Sequence, residues 1–549
     1  MISTTQAIES KENKLRNSSW DVVICGGGLA GLTLSLQLVK RMPDIKVLVL
    51  ERSNAAPKDA CHKVGESCVE GATYWFTHTL GLKDYLWQKH IKKLGLRFFG
   101  TNNGQDSFKE RFEIGVNDFP PIDSVQLDRG LFERDLIKIA REAGVTVITG
   151  VKVESFSLSE KNMHHIQLKM NHHKSLLTIQ GSWLVDASGR SRLLSRKLNL
   201  TQPLPHNVSA TWFRLKGKCD ISNIVNTTHN LWHKRTKQAR WYSTNHLLGR
   251  GYWIWLIPLS TGHTSIGIMG EETVHPLTQR NSWEKALQWF SEYEPDVFKL
   301  IREFEVLDFR TMKHIAYETK QAFSINRWAC VGEAAAFADP LYSTGSDLIA
   351  WANSSVTTLI ELDRKGKLDN KTVALYDTAF KDLVSFVSSW TINMYSVFGH
   401  DHIMLRKLLW DALAYFLGPV RILLHEFLQT PASMQRYTEE MQRCYKINQK
   451  MQELFREWVA NTNAEKARPG LYVADQTCNY FNDLARLQLG VLPGFKFLNE
   501  LPGFIDKMEE LADIFGAQAE AHANIKSPFK LPQEQLFEQV ENYMMQALA

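Results

Sequence analysis

No stretch of 18 uncharged apolar residues occurs in this 549-residue chain. That lack predicts no membrane-spanning helix. The richest candidate, LLWDALAYFLGPVRILLHEFL (408–428), is broken by Asp411, Arg421, His425 and the Gly418-Pro419 pair. It reads as two buried amphipathic helices. No basic run of five residues appears, and 64 Lys and Arg against 59 Asp and Glu leave a net charge of only +5. That balance gives no electrostatic reason to expect a nucleic-acid partner. The opening MISTTQAIESKENKLRNSSW has no apolar core of the secretory kind and reads as a polar tail, residues 1–19. The seven cysteines are odd in number and form no CxxC pair. Cys25 and Cys330 sit in apolar runs and read as buried thiols. This suits a reducing cytoplasm, with neither a disulfide framework nor a metal centre. Gly-x-Ser-x-Gly and the Walker A loop are also missing, and no histidine pair has zincin spacing. The pairs His164-His165, His172-His173 and His400-x-His402 read as loop or surface residues.

What the chain does contain begins at WDVVIC (20–25), a run of β-formers read as a buried parallel strand. GGGLAG follows, with Gly26, Gly28 and Gly31 in GxGxxG spacing. Leu29 and Ala30 stand in this turn as further cofactor-binding candidates, an apolar helix, LTLSLQLVKRM, follows, and a second strand, KVLVLE, ends at Glu51. The physical roles are definite. One glycine makes the turn, one admits a pyrophosphate to the backbone, and one lets helix and strand close-pack. The helix N-terminus offers free N–H groups to phosphate, and the acid accepts from ribose hydroxyls. This order of elements predicts dinucleotide binding.

Two later segments select FAD by resemblance. WLVDASGRSR (183–192) carries Asp186 and Gly189; WACVGEAAAFADP (328–340) carries Gly332 and Glu333. Both resemble fingerprints of the flavin monooxygenase-like fold, where the second usually has Asp in place of Glu333. QLDRGLFERDL (126–136) resembles that fold's cofactor-touching segment and offers Arg129. With a single GxGxxG, no separate NADPH domain is expected.

GYWIWLIPLS (251–260) narrows the reading. Trp253, Trp255 and Ile257 alternate, so a strand turns all three to one side, with Pro258 behind them. The sequence resembles the WxWxIP signature of the flavin-dependent halogenases. VGESCVEGA (64–72) resembles that family's GES stretch, and DPLYSTG (339–345) its FAD and halide loop. PGLYVADQTCNYFNDLARL (469–487) is similar to the C-terminal region of phenol and pyrrole halogenases rather than tryptophan halogenases. The resemblance implies a tunnel wall at Trp253, Trp255, Ile257 and Pro258. It implies halide-binding amides at Thr344 and Gly345, and Tyr342 where tryptophan halogenases carry Glu. It implies a halogenating lysine in HIKKLGLRFFG (90–100), with Lys-x4-Phe spacing met by Lys93 and Phe98. Lys92 is adjacent, and that register stays open from sequence.

The expected architecture is α/β. A discontinuous FAD-binding domain takes 20–200 and 310–370, a substrate-side sheet 201–309, and a helical C-terminal region 371–549. Prolines at 419, 431, 469, 493, 502, 528 and 532 would punctuate its helices. The expected function is FADH2-dependent halogenation, with chloride or bromide, of a phenol or pyrrole, free or on a carrier protein. A separate reductase would supply the reduced flavin. A hydroxylating flavin monooxygenase is the first alternative; it has no use for the tryptophan pair or the lysine. A non-catalytic flavin-fold binding protein is the second, and the intact Gly28 and Glu51 weigh against it.

Overall fold

The computed structural model describes residues 19–54, 63–101, 104–120, 122–170, 176–463, 470–473 and 494–530, with Leu15, Pro532 and Glu538. Most of 1–19 and most of 469–487 lie outside them, as do Cys61, Cys478 and His172-His173.

Two eight-stranded sheets organise the chain. In the first, Trp20–Cys25 lies between Leu176–Asp186 and Val47–Glu51 and pairs parallel with both. Thr146–Thr149 and Trp328–Cys330 extend it on the two sides, again parallel. A strand covered on both faces must be apolar throughout, which is why WDVVIC carries no alternation. The helix Leu29–Arg41 packs behind it, buried at ten successive residues from Leu29.

The second sheet runs in the order Val306–Lys313, Val208–Leu215, Thr264–Glu271, Tyr252–Pro258, Thr244–Gly249, Leu96–Gly100, Phe112–Gly115, Tyr472–Val473. Its members correct the sequence boundaries. Residues 96–115 were expected within the FAD-binding part, and instead Leu96–Gly100 pairs parallel with Thr244–Gly249. The cause lies in its side chains. Phe98 stacks on His246 at 4.8 Å, while Phe99 points the other way against Phe108 at 4.8 Å. This placement gives each ring an aromatic partner, on the neighbouring strand for Phe98 and in the turn Phe108–Glu110 for Phe99. A third, three-stranded sheet joins Ser67–Cys68 and Ile91–Lys93 through Ser124–Gln126.

The strand Tyr252–Pro258 divides two cores. Trp253, Trp255 and Ile257 belong to the large core shared with the first sheet. Tyr252, Ile254 and Leu256 belong to a smaller core under the helices Trp283–Tyr293 and Pro295–Ile301. A period of two therefore assigns successive residues to different compartments. Pro258 ends the strand, paired with Thr264.

Helices follow from Gly345. The apolar stretch at 408–428 forms Asp401–Leu417 and Pro419–Leu424, split at Gly418-Pro419 as its residues predict. Pro419 and Pro431 occupy first helical positions, where a missing N–H is harmless. Pro502 differs, because it lies inside the helix Gly494–Ala523. An interior proline costs about 3 kcal/mol. Leu501, Phe504, Ile505, Met508 and Leu511 are all buried around it, and that burial offsets the loss. Among the described residues no helix is long and apolar enough to cross a membrane.

Candidate active site

The glycine turn closes tightly. Gly26 has φ +123°, and a Cβ there would sit 2.2 Å from the Ala187 carbonyl oxygen. A Cβ on Gly31 would sit 2.0 Å from the Gly26 oxygen. Gly28 is different: its nearest neighbours would be Glu133 Oε2 at 3.9 Å and Lys63 Nζ at 4.0 Å. The first two glycines are thus needed by the fold itself, whereas Gly28 keeps open a space that the fold does not use. Glu51 accepts from the Gly27 and Ser53 N–H groups, each at 2.8 Å. A carboxylate has about four acceptor sites, so it retains capacity for ribose hydroxyls.

Arg129 opens the helix Arg129–Glu142 and donates to the Val64 carbonyl at 2.7 Å and to Glu133. It lines the central pocket with Gly332 and Glu333. Burial raises the Glu333 carboxyl, opposed by Arg190 and Arg129. These groups and the glycine cradle fit FAD: a backbone notch for pyrophosphate, an acid for ribose, and a small-residue turn beside an apolar slot. Asp186, expected to touch the cofactor, holds the turn after its own strand: its oxygens accept from the Ser188 and Leu194 N–H groups at 3.0 and 2.8 Å. The reason is its register: it pairs with Cys25 and Cys330 in the middle of the sheet, where the following amides reach it first.

Trp253, Trp255 and Ile257 line the same pocket, with the two indoles 5.5 Å apart at 45°. Thr344, Gly345 and Ser346 line it as well. Thr344 precedes the 20-residue helix Gly345–Arg364 and makes no capping bond. A helix start of this kind presents free N–H groups and partial positive charge, the ordinary means of holding an anion. Asp339 caps the short turn Pro340–Tyr342, and Ser343 follows at φ +60°. Tyr342 leaves the pocket: its ring is edge-on to Phe98 and Trp390, and its hydroxyl donates to Asp411 at 2.6 Å.

The two candidate lysines separate. Lys92 is half-exposed and pairs with Asp123 at 2.6 Å. Lys93 is fully buried; its Nζ donates to Ser67 Oγ at 2.8 Å and to the Cys68 carbonyl at 3.2 Å. Ser67 in turn accepts from Ser343 Oγ at 2.9 Å and bonds Thr244 Oγ1 at 2.7 Å. Ser67 therefore joins the lysine to the helix-start loop in two hydrogen bonds. Burial pushes the Lys93 amine down to about 8, against the pull of Glu70, Cys68 and Asp347. Asp347 is pushed up to about 7 by burial, opposed by the Ala72 N–H, which Oδ1 accepts at 2.6 Å, and by the Tyr415 hydroxyl.

Sequence reading missed Glu70, Asp347 and His246 at this end. Glu70 and Asp347 stand in runs of small and polar residues whose composition carries no sign of burial. His246 lies within TNHLLG, whose apolar neighbours were its one signal; it lines the pocket, and burial pushes its imidazole down to about 3. His164 is a further correction. Read as a surface residue, it is buried, with Nδ1 accepting from the Ser159 N–H at 3.0 Å.

The sequence model of the family described as "Tryptophan halogenase" matches residues 123–401. The chain is 28% identical over 427 residues to the flavin-dependent halogenase chlA of Dictyostelium discoideum, covering 72% of this chain and 69% of that protein. It is 26% identical over 356 residues to the 1H-pyrrole-2-carbonyl-(peptidyl-carrier protein) chlorinase of Pseudomonas fluorescens, covering 60% and 73%. The crystal structure of halogenase PltM overlays with a TM-score of 0.65 at 17% identity, over 90% of this chain and 97% of that one. Taken with the glycine cradle, the tryptophan wall and the buried lysine, the matched span makes this chain a member of the tryptophan halogenase family, an enzyme of the flavin-dependent halogenase kind.

Proposed function

We propose that this halogenase acts on an electron-rich aromatic ring, a phenol or a pyrrole, free or tethered to a carrier protein, with reduced flavin from a separate reductase. Gly26, Gly28, Leu29, Ala30, Gly31 and Glu51 would hold the dinucleotide end of FAD, and Arg129, Gly332 and Glu333 its ring end. Bound reduced FAD supplies the activation of dioxygen by which halide becomes hypohalous acid. The chain's own residues do the rest. The N–H groups at Thr344 and Gly345 hold halide. Trp253, Trp255, Ile257 and Pro258 keep the aromatic substrate off the flavin, so that only a small oxidant passes.

The buried Lys93 carries this reading. As an ammonium it donates a hydrogen bond to the oxygen of hypohalous acid. The ring carbon attacks the halogen, the halogen–oxygen bond breaks, and the departing oxygen takes the Lys93 proton and leaves as water. The ring then loses its own proton, and the neighbouring carboxyl groups of Glu70 and Asp347 are the acceptors within the cluster. One pyrrole relative is by its name a carrier-protein chlorinase, and another, from Pseudoalteromonas luteoviolacea, a carrier-protein brominase. Both names support a tethered aromatic here.

The test is incubation with FAD, a flavin reductase, NADH and bromide against phenols and pyrroles, free and carrier-bound. Products carrying the paired bromine isotope pattern support the proposal. Hydroxylated products alone would replace it with the monooxygenase reading.

A further inference from the structure

The wall tryptophan and the halide loop share a hydrogen-bonded chain that the reaction itself does not call for. Trp253 Nε1 donates to the Tyr395 hydroxyl at 2.9 Å. That hydroxyl donates to Asp339 Oδ2 at 2.5 Å. His206 Nε2 lies 2.8 Å from the same oxygen. The other oxygen, Oδ1, accepts from the Leu341 N–H at 3.1 Å and so fixes the turn leading to Ser343, Thr344 and Gly345. All four side chains are at least nine-tenths buried.

Tyr395 comes from neither sheet. It stands in the short segment between the helices Asn370–Ser389 and Asp401–Leu417. Its backbone carbonyl also accepts from the Gly251 N–H at 3.2 Å, at the turn that launches the wall strand. Its ring is held by Phe398 at 4.9 Å and by His206 at 5.4 Å. A hydroxyl is the smallest group that can accept from an indole and donate to a carboxylate at once. Burial and the Asp339 charge keep the Tyr395 phenol protonated far above the usual range, so the donor is permanent.

We propose that Tyr395 is a positioning residue that locks the Trp253 indole and the halide loop into one geometry, so that the bore of the wall and the halide cradle are set together. This rests on the halogenase reading above. An indole in a wall has two broad faces and can turn about χ2; a bond at Nε1 selects one orientation. A loop whose first residue is tied to the same oxygen cannot shift without releasing that bond. The consequence is fidelity: oxidant leaves the halide cradle toward Lys93 and not into solvent.

Tyr395→Phe removes one oxygen and keeps the ring, its packing and the backbone bond. Three measurements read it. In protein labelled with 15N-tryptophan, with the Trp253 indole signal assigned through Trp253→Phe, hydrogen exchange at Nε1 should quicken about tenfold. The KM for bromide should rise about five- to tenfold, the worth of one hydrogen bond. The ratio of halogenated product to oxygen consumed should fall, with the missing oxidant captured by a dimedone trap in solution. A merely structural tyrosine would lower the melting temperature and leave that ratio and the bromide KM within about twofold of the parent's. That result, or unchanged indole exchange, overturns the proposal. A parent that halogenates nothing sinks the functional reading alone, and the indole exchange then decides the relay by itself.

Discussion

At the glycine end of the pocket the working groups are backbone atoms; at the lysine end they are buried side chains. Gly26 and Gly31 leave no room for a Cβ, and the amides of 27 and 53 already engage Glu51. Such a site is specified by spacing along the chain, because backbone geometry is local. The other end joins Lys93, Ser67, Glu70, Asp347 and His246 from separate elements. Its members are chosen by burial, and burial is a property of the whole fold. The glycine end is therefore tolerant of titration and intolerant of bulk, and the lysine end is the reverse.

The largest break should come from Lys93→Ala. We expect halogenation to fall by about 10³-fold or more, the worth of a placed proton donor at a reacting centre. FAD binding and oxygen consumption should stay near the parent's values. Lys92→Ala, removing a half-exposed lysine, should halogenate within about twofold of the parent. Rates from product mass spectrometry check both. Equal losses in the two variants would erase the distinction between them.

Bulk lost from the shared wall comes next. Trp255→Ala should destabilise the fold by about 3–5 kcal/mol, since its indole is buried and its place is left a cavity. Denaturant unfolding measures this. A loss below about 1 kcal/mol would mean that the wall is loosely packed.

Bulk gained at the glycine end follows. Gly28→Val should weaken FAD binding about 100-fold while the melting temperature of the flavin-free protein stays within a few degrees. Gly26→Val should lower that temperature sharply, because its side chain would meet the Ala187 carbonyl. Similar behaviour of the two variants would contradict the separate roles given to these glycines.

The last effect is one of pH. Asp347 is pushed up to about 7, so between pH 4 and 7 the folded chain keeps a proton that the unfolded chain releases. Stability from this group is present at low pH and is lost as pH rises through 7. Asp347→Asn has no such proton, so relative to the parent it should gain about 3 kcal/mol between pH 4 and 7. Unfolding free energies at the two pH values read the difference. Activity should fall in the same direction but at higher pH: halogenation by the parent should decline above pH 8 as Lys93 loses the proton that the proposed step requires.

Much of this fold was legible because its signals are short. WDVVIC, GGGLAG and the acid at 51 lie within about thirty residues, and one βαβ unit suffices to interpret them. WxWxIP was legible for the same reason, since a strand's alternation assigns its faces without reference to any partner. Residues 96–115 were misassigned because a strand's sheet is decided by the partner, and Phe98 and Phe99 found theirs at His246 and Phe108. The motif around Asp186 fixes where the residue stands, and not which amides reach it. Pro502 was read as punctuating the helices because the burial that outweighs its lost hydrogen bond is tertiary. Lys93 was separated from Lys92 only by burial.

Tyr342 donates its hydroxyl to Asp411, which pairs with Lys407 and accepts from Gln452, all within the C-terminal helices. The helical region and the loop at 339–345 are thus one unit of exchange. A chimera that took its last 150 or so residues from a relative would leave the tyrosine without its acceptor, or Asp411's replacement without its donor. Pieces of this enzyme can be traded among relatives only if position 342 travels with the helices that receive it.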